Sequence, residues 1–368
     1  MSPRDEEGIR MRKLLPCAAL LIVLAISDGT FTSLSASGGG GGGGTTTSGV
    51  SWIGTLGGNT SQAYEASSTG SVIVGYSSNA AGQYRAFRWT AAGGMKDLGD
   101  FGYAFAAAYG TSGDGSIVVG EAWTATFEQR AFRWTAAGGL QNLGTLGGPS
   151  SVAADISANG LVIVGESSTA TSSPHAFRWT AQWGMQDLGT FGGFSSGAYA
   201  ASADGAVIVG SAEDPSGQRH AFRWTAPTGM QYLGTLGGLE SEAFGVSADG
   251  SVVVGRSTDA SNTRKAFRWT AAGGMKDLGS LGGVGSAAYD VSGDGSTVVG
   301  DAADSTGQTR VFRWTAATGM QNLSAVYGGS IGSGSYFVYA NAISSDKLHV
   351  VGYGYNRRNA RYEAYSTN

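Results

Sequence analysis

Phe87-Arg88-Trp89-Thr90 is the first of six copies of one phrase, and the others begin at Phe132, Phe177, Phe222, Phe267 and Phe312. Their tryptophans, Trp89, Trp134, Trp179, Trp224, Trp269 and Trp314, stand 45 residues apart at every interval. A period in this range, made of short apolar runs and Gly-rich turns, points to a propeller with one four-stranded sheet per repeat. Chemistry is less constrained, because such scaffolds serve as enzymes, receptors and inert supports alike.

Working outward from one copy gives the strands. Ala266-Phe267-Arg268-Trp269-Thr270 alternates apolar and polar side chains, the period of a strand. Ala271 to Gly274 turn the chain into Met275-Lys276-Asp277-Leu278-Gly279. Ala287 to Ser292 are small enough for a strand crowded at an axis, and Gly293-Asp294-Gly295 is a hairpin turn. Ser296 to Gly300 are β-branched and apolar. The expected order is inner strand, second strand, Phe-Arg-Trp strand, outer strand. A two- or four-residue turn at the Ala-Gly step sets Arg88 opposite Asp97. It likewise sets Arg133 opposite Asn142, Arg178 opposite Asp187, Arg223 opposite Tyr232, Arg268 opposite Asp277 and Arg313 opposite Asn322. Such cross-strand pairs contribute ~0.2–1 kcal/mol each. A Trp needed in every repeat reads as core between blades.

The two ends are complementary truncations. Gly49 to Gly58 align with an outer strand that lacks its preceding partners. Val338–Ile343, Val350–Gly352 and Glu363–Ser366 supply inner, second and third strands, and then the chain stops. The expectation is therefore an all-β, seven-bladed β-propeller of four-stranded blades over residues 49–368. Its last blade is closed by the N-terminal strand, residues 50–54 against 363–366, which removes exposed edges.

Residues 1–27 read as a secretion signal. Arg10, Arg12 and Lys13 precede a 13-residue apolar run, Leu14 to Ile26, with a small-residue cleavage site before Asp28. That run is too short to span a bilayer, which needs roughly 20 residues. Met11 is an alternative start. Cys17, the single cysteine, opens the apolar run rather than following it, which argues against lipid attachment. Residues 28–48 form a Gly/Ser/Thr-rich linker with seven consecutive glycines, a flexible tether. The expected mature protein is secreted or displayed on the cell surface, monomeric and without a membrane span. A net charge of −4 provides no electrostatic footprint for nucleic acid.

His175-Ala176-Phe177 and His220-Ala221-Phe222, each followed by Arg-Trp-Thr, resemble the HAF family of probable extracellular repeat proteins. Leu-Gly-Thr-Leu-Gly-Gly and Ser-Ala-Asp-Gly-Ser-Val-Val-Val-Gly segments carry the same likeness, which covers residues 50–366. The resemblance implies export to the bacterial surface or medium, with no established activity. The His position holds Arg85, Arg130, Lys265 or Arg310 in other repeats, so it reads as a basic position rather than a catalytic one.

Function is expected on the variable loops of one face. Aromatic rings and a few carboxylates there suit a glycan, a peptide or a surface protein. The candidate ligand-binding residues are Tyr336, Tyr353, Tyr355, Arg357 and Arg358, with Trp123 and Phe194. The first five come from two departures from strict repeat length, Ser324–Phe337 and Gly352–Glu363, and Tyr and Arg are enriched at binding hot spots. Glu121, Glu166 and Asp301 are placed just after the second strand. A carboxylate pair such as Glu121 and Glu166 is the alternative, for polysaccharide cleavage; a purely structural surface protein is the third reading. No nucleophile elbow, zinc spacing or calcium loop appears, so no catalytic residue, metal or cofactor is assigned.

Overall fold

The computed structural model describes residues 49–368; the expected secretion signal and linker, 1–27 and 28–48, lie outside the described residues. The chain is all-β, a β-propeller built of four-stranded antiparallel units. Unit I comprises Gly57–Ala66, Val72–Asn79, Tyr84–Thr90 and Gly94–Asp97. Units II to VI repeat that order over residues 102–142, 147–187, 196–232, 237–277 and 282–322. A terminal group follows, Tyr336–Ile343, Val350–Asn356 and Arg361–Thr367. Val50–Trp52 pairs with its last strand, Val50 opposite Thr367, Ser51 opposite Ser366 and Trp52 opposite Tyr365, and Ile53 N donates to the Ala364 carbonyl at 3.0 Å, so the pairing overlaps the expected 363–366 and extends to Thr367. Single parallel pairings, Thr60 with Tyr362 and Tyr84 with Phe105, join the terminal group, unit I and unit II into one twelve-stranded sheet.

Each inner strand carries a β-bulge that sets its geometry. In unit III the register slips between Ala153 and Asp155, so Ala154 is the extra residue. Opposite the slip stands a glycine that has no room for a side chain. A Cβ on Gly165 would meet the Val152 carbonyl at 2.0 Å and the Phe177 ring at 2.9 Å. The third-strand phenylalanine packs beneath that glycine; Phe87, Phe132, Phe177, Phe222, Phe267 and Phe312 are all fully buried. Tyr365 takes this place in the terminal group and donates its hydroxyl to the Tyr339 carbonyl at 2.8 Å.

The core lies between units. Val72, Val74 and Leu98 of unit I pack with Ala106, Phe132 and Trp134 of unit II. Val351 and Ala364 of the terminal group pack with Ile73 and Phe87 of unit I in the same manner. Near the axis the turns after the inner strands are linked by backbone hydrogen bonds. Ser68 donates to Gly113, Gly113 to Ala158, Asn159 to Ala203, Ala203 to Ala248, Ala248 to Gly293, Gly293 to Ser345 and Asp346 back to Ser68, at 2.9–3.2 Å. Where such a turn carries an Asp, the side chain is held locally. Asp114 accepts from Ser112 Oγ and from Ser116 N and Oγ, which lowers its pKa to about 2.

The arginine register differs from the sequence expectation by one residue. Arg268 faces Lys276 and Phe267 faces Asp277; Arg178 faces Gln186, and Arg88 faces Lys96. Arg133, Arg223 and Arg313 likewise face Gln141, Gln231 and Gln321. The cause is the turn, which holds three residues (Ala271 to Gly273) and closes on Gly274 at φ +63°, the left-handed residue of a three-residue hairpin. An odd loop moves every pairing by one. The arginine then reaches across units: Arg88 Nε donates to the Gly115 carbonyl at 2.9 Å, and Arg268 Nε to Gly295 at 3.3 Å. Asp and Asn recur on the outer strand for another reason. Asp97, Asn142, Asp187 and Asp277 each accept the N–H two residues on, at 2.7–2.9 Å, an Asx turn.

We predict that a double-mutant cycle of Arg268→Ala and Asp277→Ala is additive, with coupling near zero, because the two side chains serve different partners. Arg85 and Asp97, joined at 3.0 Å, couple by about 0.2–1 kcal/mol. Denaturant unfolding of the wild type and the six variants decides between the registers.

Candidate functional site

The two length departures of the last repeat meet. Tyr336 lies opposite Tyr355, and Tyr339 opposite Tyr353, across adjacent strands. Alternation then stands Tyr353 and Tyr355 on one side, two residues apart. The rings of Tyr339 and Tyr353 stack at 5.9 Å and 18°, those of Tyr353 and Tyr362 at 5.3 Å and 25°, and those of Tyr336 and Tyr355 at 5.5 Å and 27°. Tyr355 meets Tyr362 edge-on at 5.3 Å, completing a five-tyrosine ladder. The hydroxyls of Tyr336 and Tyr362 lie 3.3 Å apart, and Tyr336 is 44% exposed. Arg357 and Arg358 occupy the exposed turn at the ladder's end, where Arg357 N donates to Ser335 Oγ at 3.0 Å.

A second group adjoins it across the parallel pairing of Thr60 with Tyr362. Tyr109, Tyr64, Tyr76, Tyr84 and Phe105 touch in succession, with centroids 5.1–6.3 Å apart. Phe105 meets Trp123 at 6.2 Å, Trp123 meets Tyr103 at 6.1 Å, and Tyr103 meets Phe127 at 4.8 Å. The Trp123 indole N–H is buried without a hydrogen-bond partner. Of the residues singled out in the sequence, Tyr336, Tyr353 and Tyr355 therefore come together, with Arg357 and Arg358 at their edge and Trp123 in the neighbouring group. Phe194 stays exposed on the loop before the inner strand of unit IV and joins neither group. Tyr339 and Tyr362 were missed, although five tyrosines between positions 336 and 362 were a visible signal.

The carboxylates expected in loops lie inside the second strands and are buried: Glu121, Glu166 and Asp301. Glu121 accepts from Tyr109 Oη at 2.7 Å and from Gln129, and Asp301 from Tyr289 Oη at 3.0 Å. Glu166 differs, since its Oε2 is buried with no hydrogen-bond partner. Beyond it runs a chain of charges. Arg219 lies 3.6 Å from Glu213 and 3.7 Å from Glu242, and Glu242 pairs with Arg256.

The basic position is structural wherever an acid meets it. His175 Nδ1 lies 2.8 Å from Asp187, His220 Nε2 2.9 Å from Asp214, and Arg310 Nε 2.8 Å from Asp304. His349 Nδ1 contacts the Thr367 carbonyl at 2.8 Å. The axis encloses a cavity of about 110 Å³ lined in part by Tyr199, Phe244, Tyr289, Asp155 and Asp290. Asp155 and Asp290 bridge neighbouring inner strands, accepting from Ala201 N at 2.9 Å and Ile343 N at 2.8 Å. Among the described residues no group of three or more His, Cys, Asp or Glu is placed to hold a metal, and no helix is long and apolar enough to cross a membrane.

Burial pushes the Glu166 carboxyl well above the usual carboxylate range, Arg219 opposing and Glu213 adding to the shift. The folded chain therefore holds a proton that the unfolded chain has already released. Stability falls as pH rises above the ordinary glutamate value of about 4.3. In tetramethylammonium buffers the melting temperature should decline through that window, and Glu166→Gln should flatten the decline. Superimposable pH profiles for the two proteins would contradict this.

No family model matches the chain, and no curated protein matches it. Among solved structures it is similar to the β-propeller domain of the Trilobed protease from Pyrococcus furiosus, with 9% identity and a TM-score of 0.57, covering 84% of this chain and 95% of that one. It is also similar to a structure from a study of two prolyl endopeptidases, with 10% identity and a TM-score of 0.56, covering 84% and 50%. TolB from Acinetobacter baumannii matches with 13% identity and a TM-score of 0.48, over 67% of this chain and 62% of TolB, about three fifths of its length. At such identities the likeness to the first two establishes the β-propeller fold alone.

Proposed function

We propose that the chain is an exported, non-catalytic, seven-bladed propeller that binds a glycan through the aromatic sector of its variable face. Seven blades are supported by six four-stranded units plus the terminal group. Closure by the N-terminal strand is supported by the pairing of Val50–Trp52 with the last strand and by the bond from Ile53 N to the Ala364 carbonyl at 3.0 Å. Export is supported by the basic and apolar pattern of residues 10–28 and by the resemblance to the HAF repeat family.

The observation that carries the binding reading is the five-tyrosine ladder, with exposed Arg357 and Arg358 at one end and the Trp123 group beside it. Sugar rings present apolar faces that stack on aromatic rings, while phenol and guanidinium groups meet hydroxyls. Tyrosine and arginine also bind at little entropic cost when packing already holds them, as stacking holds Tyr353 and Tyr355. Polysaccharide cleavage is less favoured, because Glu121 is buried and satisfied by Tyr109 and Gln129.

A glycan array followed by calorimetry on any hit tests the reading. Tyr355→Ala and Arg358→Ala should each weaken binding about tenfold or more, the size of a hot-spot loss, with the melting temperature shifted by no more than a few degrees. Unchanged affinity in both variants would place the site elsewhere, and turnover of a bound glycan would replace binding with catalysis.

Closure has its own test. Deleting residues 50–54 should lower the melting temperature far more than deleting residues 28–48, and equal melting temperatures would contradict it.

A further inference from the structure

Two guanidiniums stand unpaired at the Tyr336 end of the ladder. Arg357 and Arg358 are exposed in the turn between the last two strands, and only their backbone takes part in holding that turn. Arg357 N donates to Ser335 Oγ at 3.0 Å and Arg358 N to Asn356 Oδ1 at 3.1 Å. Neither guanidinium has a hydrogen bond or an ion pair among the described residues. The stem of Arg357 is nevertheless placed. It lies against Gly334, where a Cβ would meet its Cγ at 3.2 Å and its Cδ at 3.6 Å. Gly334 comes two residues before Tyr336, the one exposed ring of the ladder, so Arg357 is held beside the open end of the aromatic row. A stem already packed loses less freedom when its charged head binds.

No acid in the surrounding loops answers this charge. Residues 53–61, 79–84 and 323–337 contain no charged side chain. Glu363, the one carboxylate of the terminal loop, is fully buried and engaged by Arg361, Asn356 and Asn359. Arg85 of unit I is paired with Asp97 and Asp100. Elsewhere His175, Arg310 and Lys347 each sit 2.8 Å from an aspartate. Two positive charges are therefore unanswered beside the ladder, in a chain whose net charge is −4.

We infer, building on the glycan binding proposed above, that the glycan is anionic: Arg357 and Arg358 bind its carboxylate or sulfate groups while the tyrosines hold its sugars. The guanidinium fork matches a pair of anionic oxygens, and such charge-assisted hydrogen bonds are roughly twice as strong as neutral ones. A single-stranded nucleic acid also meets aromatic and basic groups, but it needs a row of open ring faces for successive bases. Here Tyr353 stacks with Tyr339 and Tyr362, and Tyr355 stacks with Tyr336, so the rings of the ladder face one another. Tyr336 is left as the single exposed ring, enough for a sugar and too few for a run of bases.

Calorimetric titration of the full chain with two matched pairs tests this. One pair is an oligogalacturonate and its methyl ester, the other a heparin-type oligosaccharide and its desulfated form. In dilute buffer an acidic member should bind at least tenfold more tightly than its neutral counterpart, the size of a hydrogen bond to a charged group. Sodium chloride at about 0.5 M should remove most of that margin, because the charges are exposed. A margin in the first pair identifies carboxylate as the group bound, and a margin in the second identifies sulfate. Arg357→Ala combined with Arg358→Ala should abolish the margin, whereas Tyr336→Ala should weaken both members of a pair alike. Equal affinity within both pairs, or neutral hits on the glycan array with neither acidic member bound, would overturn the anionic assignment and leave glycan binding standing. A blank array with no binding to either pair would overturn both. Tighter binding of a single-stranded thymidine oligonucleotide than of either acidic member would replace the glycan with nucleic acid.

Discussion

The close approach at the second-strand glycine governs the architecture. Where Gly165 passes the Val152 carbonyl there is space for a hydrogen atom and nothing larger, and the same holds at Gly120, Gly210, Gly255, Gly300 and Gly352. That approach accompanies the inner-strand bulge, which adds a residue and increases local twist. The third-strand phenylalanine packs beneath the glycine and against the neighbouring unit. Neither face of a unit could be buried by that unit alone, so its stability belongs to the interfaces, where Phe132 and Trp134 meet Val72 and Val74.

The same bulge shapes the axis. It places Tyr109, Tyr199, Phe244 and Tyr289 at equivalent positions beside the channel, and Ala154 breaks the series in unit III. One small residue there removes the donor that Glu121 enjoys in unit II, and the buried Glu166 oxygen is left without a hydrogen-bond partner. A strict repeat makes such local departures informative, because the neighbouring copies show what the scaffold needs and what it can give up.

The variable face divides into two chemistries. The terminal group with units I and II contributes stacked aromatics, joined where single parallel pairings bring their strands edge to edge. Units III to V contribute buried carboxylates and guanidiniums instead. The aromatic side holds exposed Tyr84, Tyr103, Phe127 and Tyr336 on a sheet base, whereas on the charged side Phe194 is exposed but Glu166 and Glu242 are buried.

The 45-residue period, the strand order within a repeat and the tight turns were legible in the sequence, because local alternation and glycine placement are properties of short segments. The meeting of Tyr336 with Tyr355 was half legible: the two length departures were visible, but not Tyr339 and Tyr362, whose side-by-side position depends on strand pairing. Only the tertiary structure decided the arginine partners. A three-residue loop and a four-residue loop read almost alike in Ala-Ala-Gly-Gly, yet they differ by one register step, which sends Arg268 to the next unit and leaves Asp277 to cap its own turn. Burial was likewise undecided for Glu121, Glu166 and Asp301, since a carboxylate's environment is set by which strands pair and pack beside it, as Tyr109 and Gln129 do for Glu121 and Tyr289 does for Asp301.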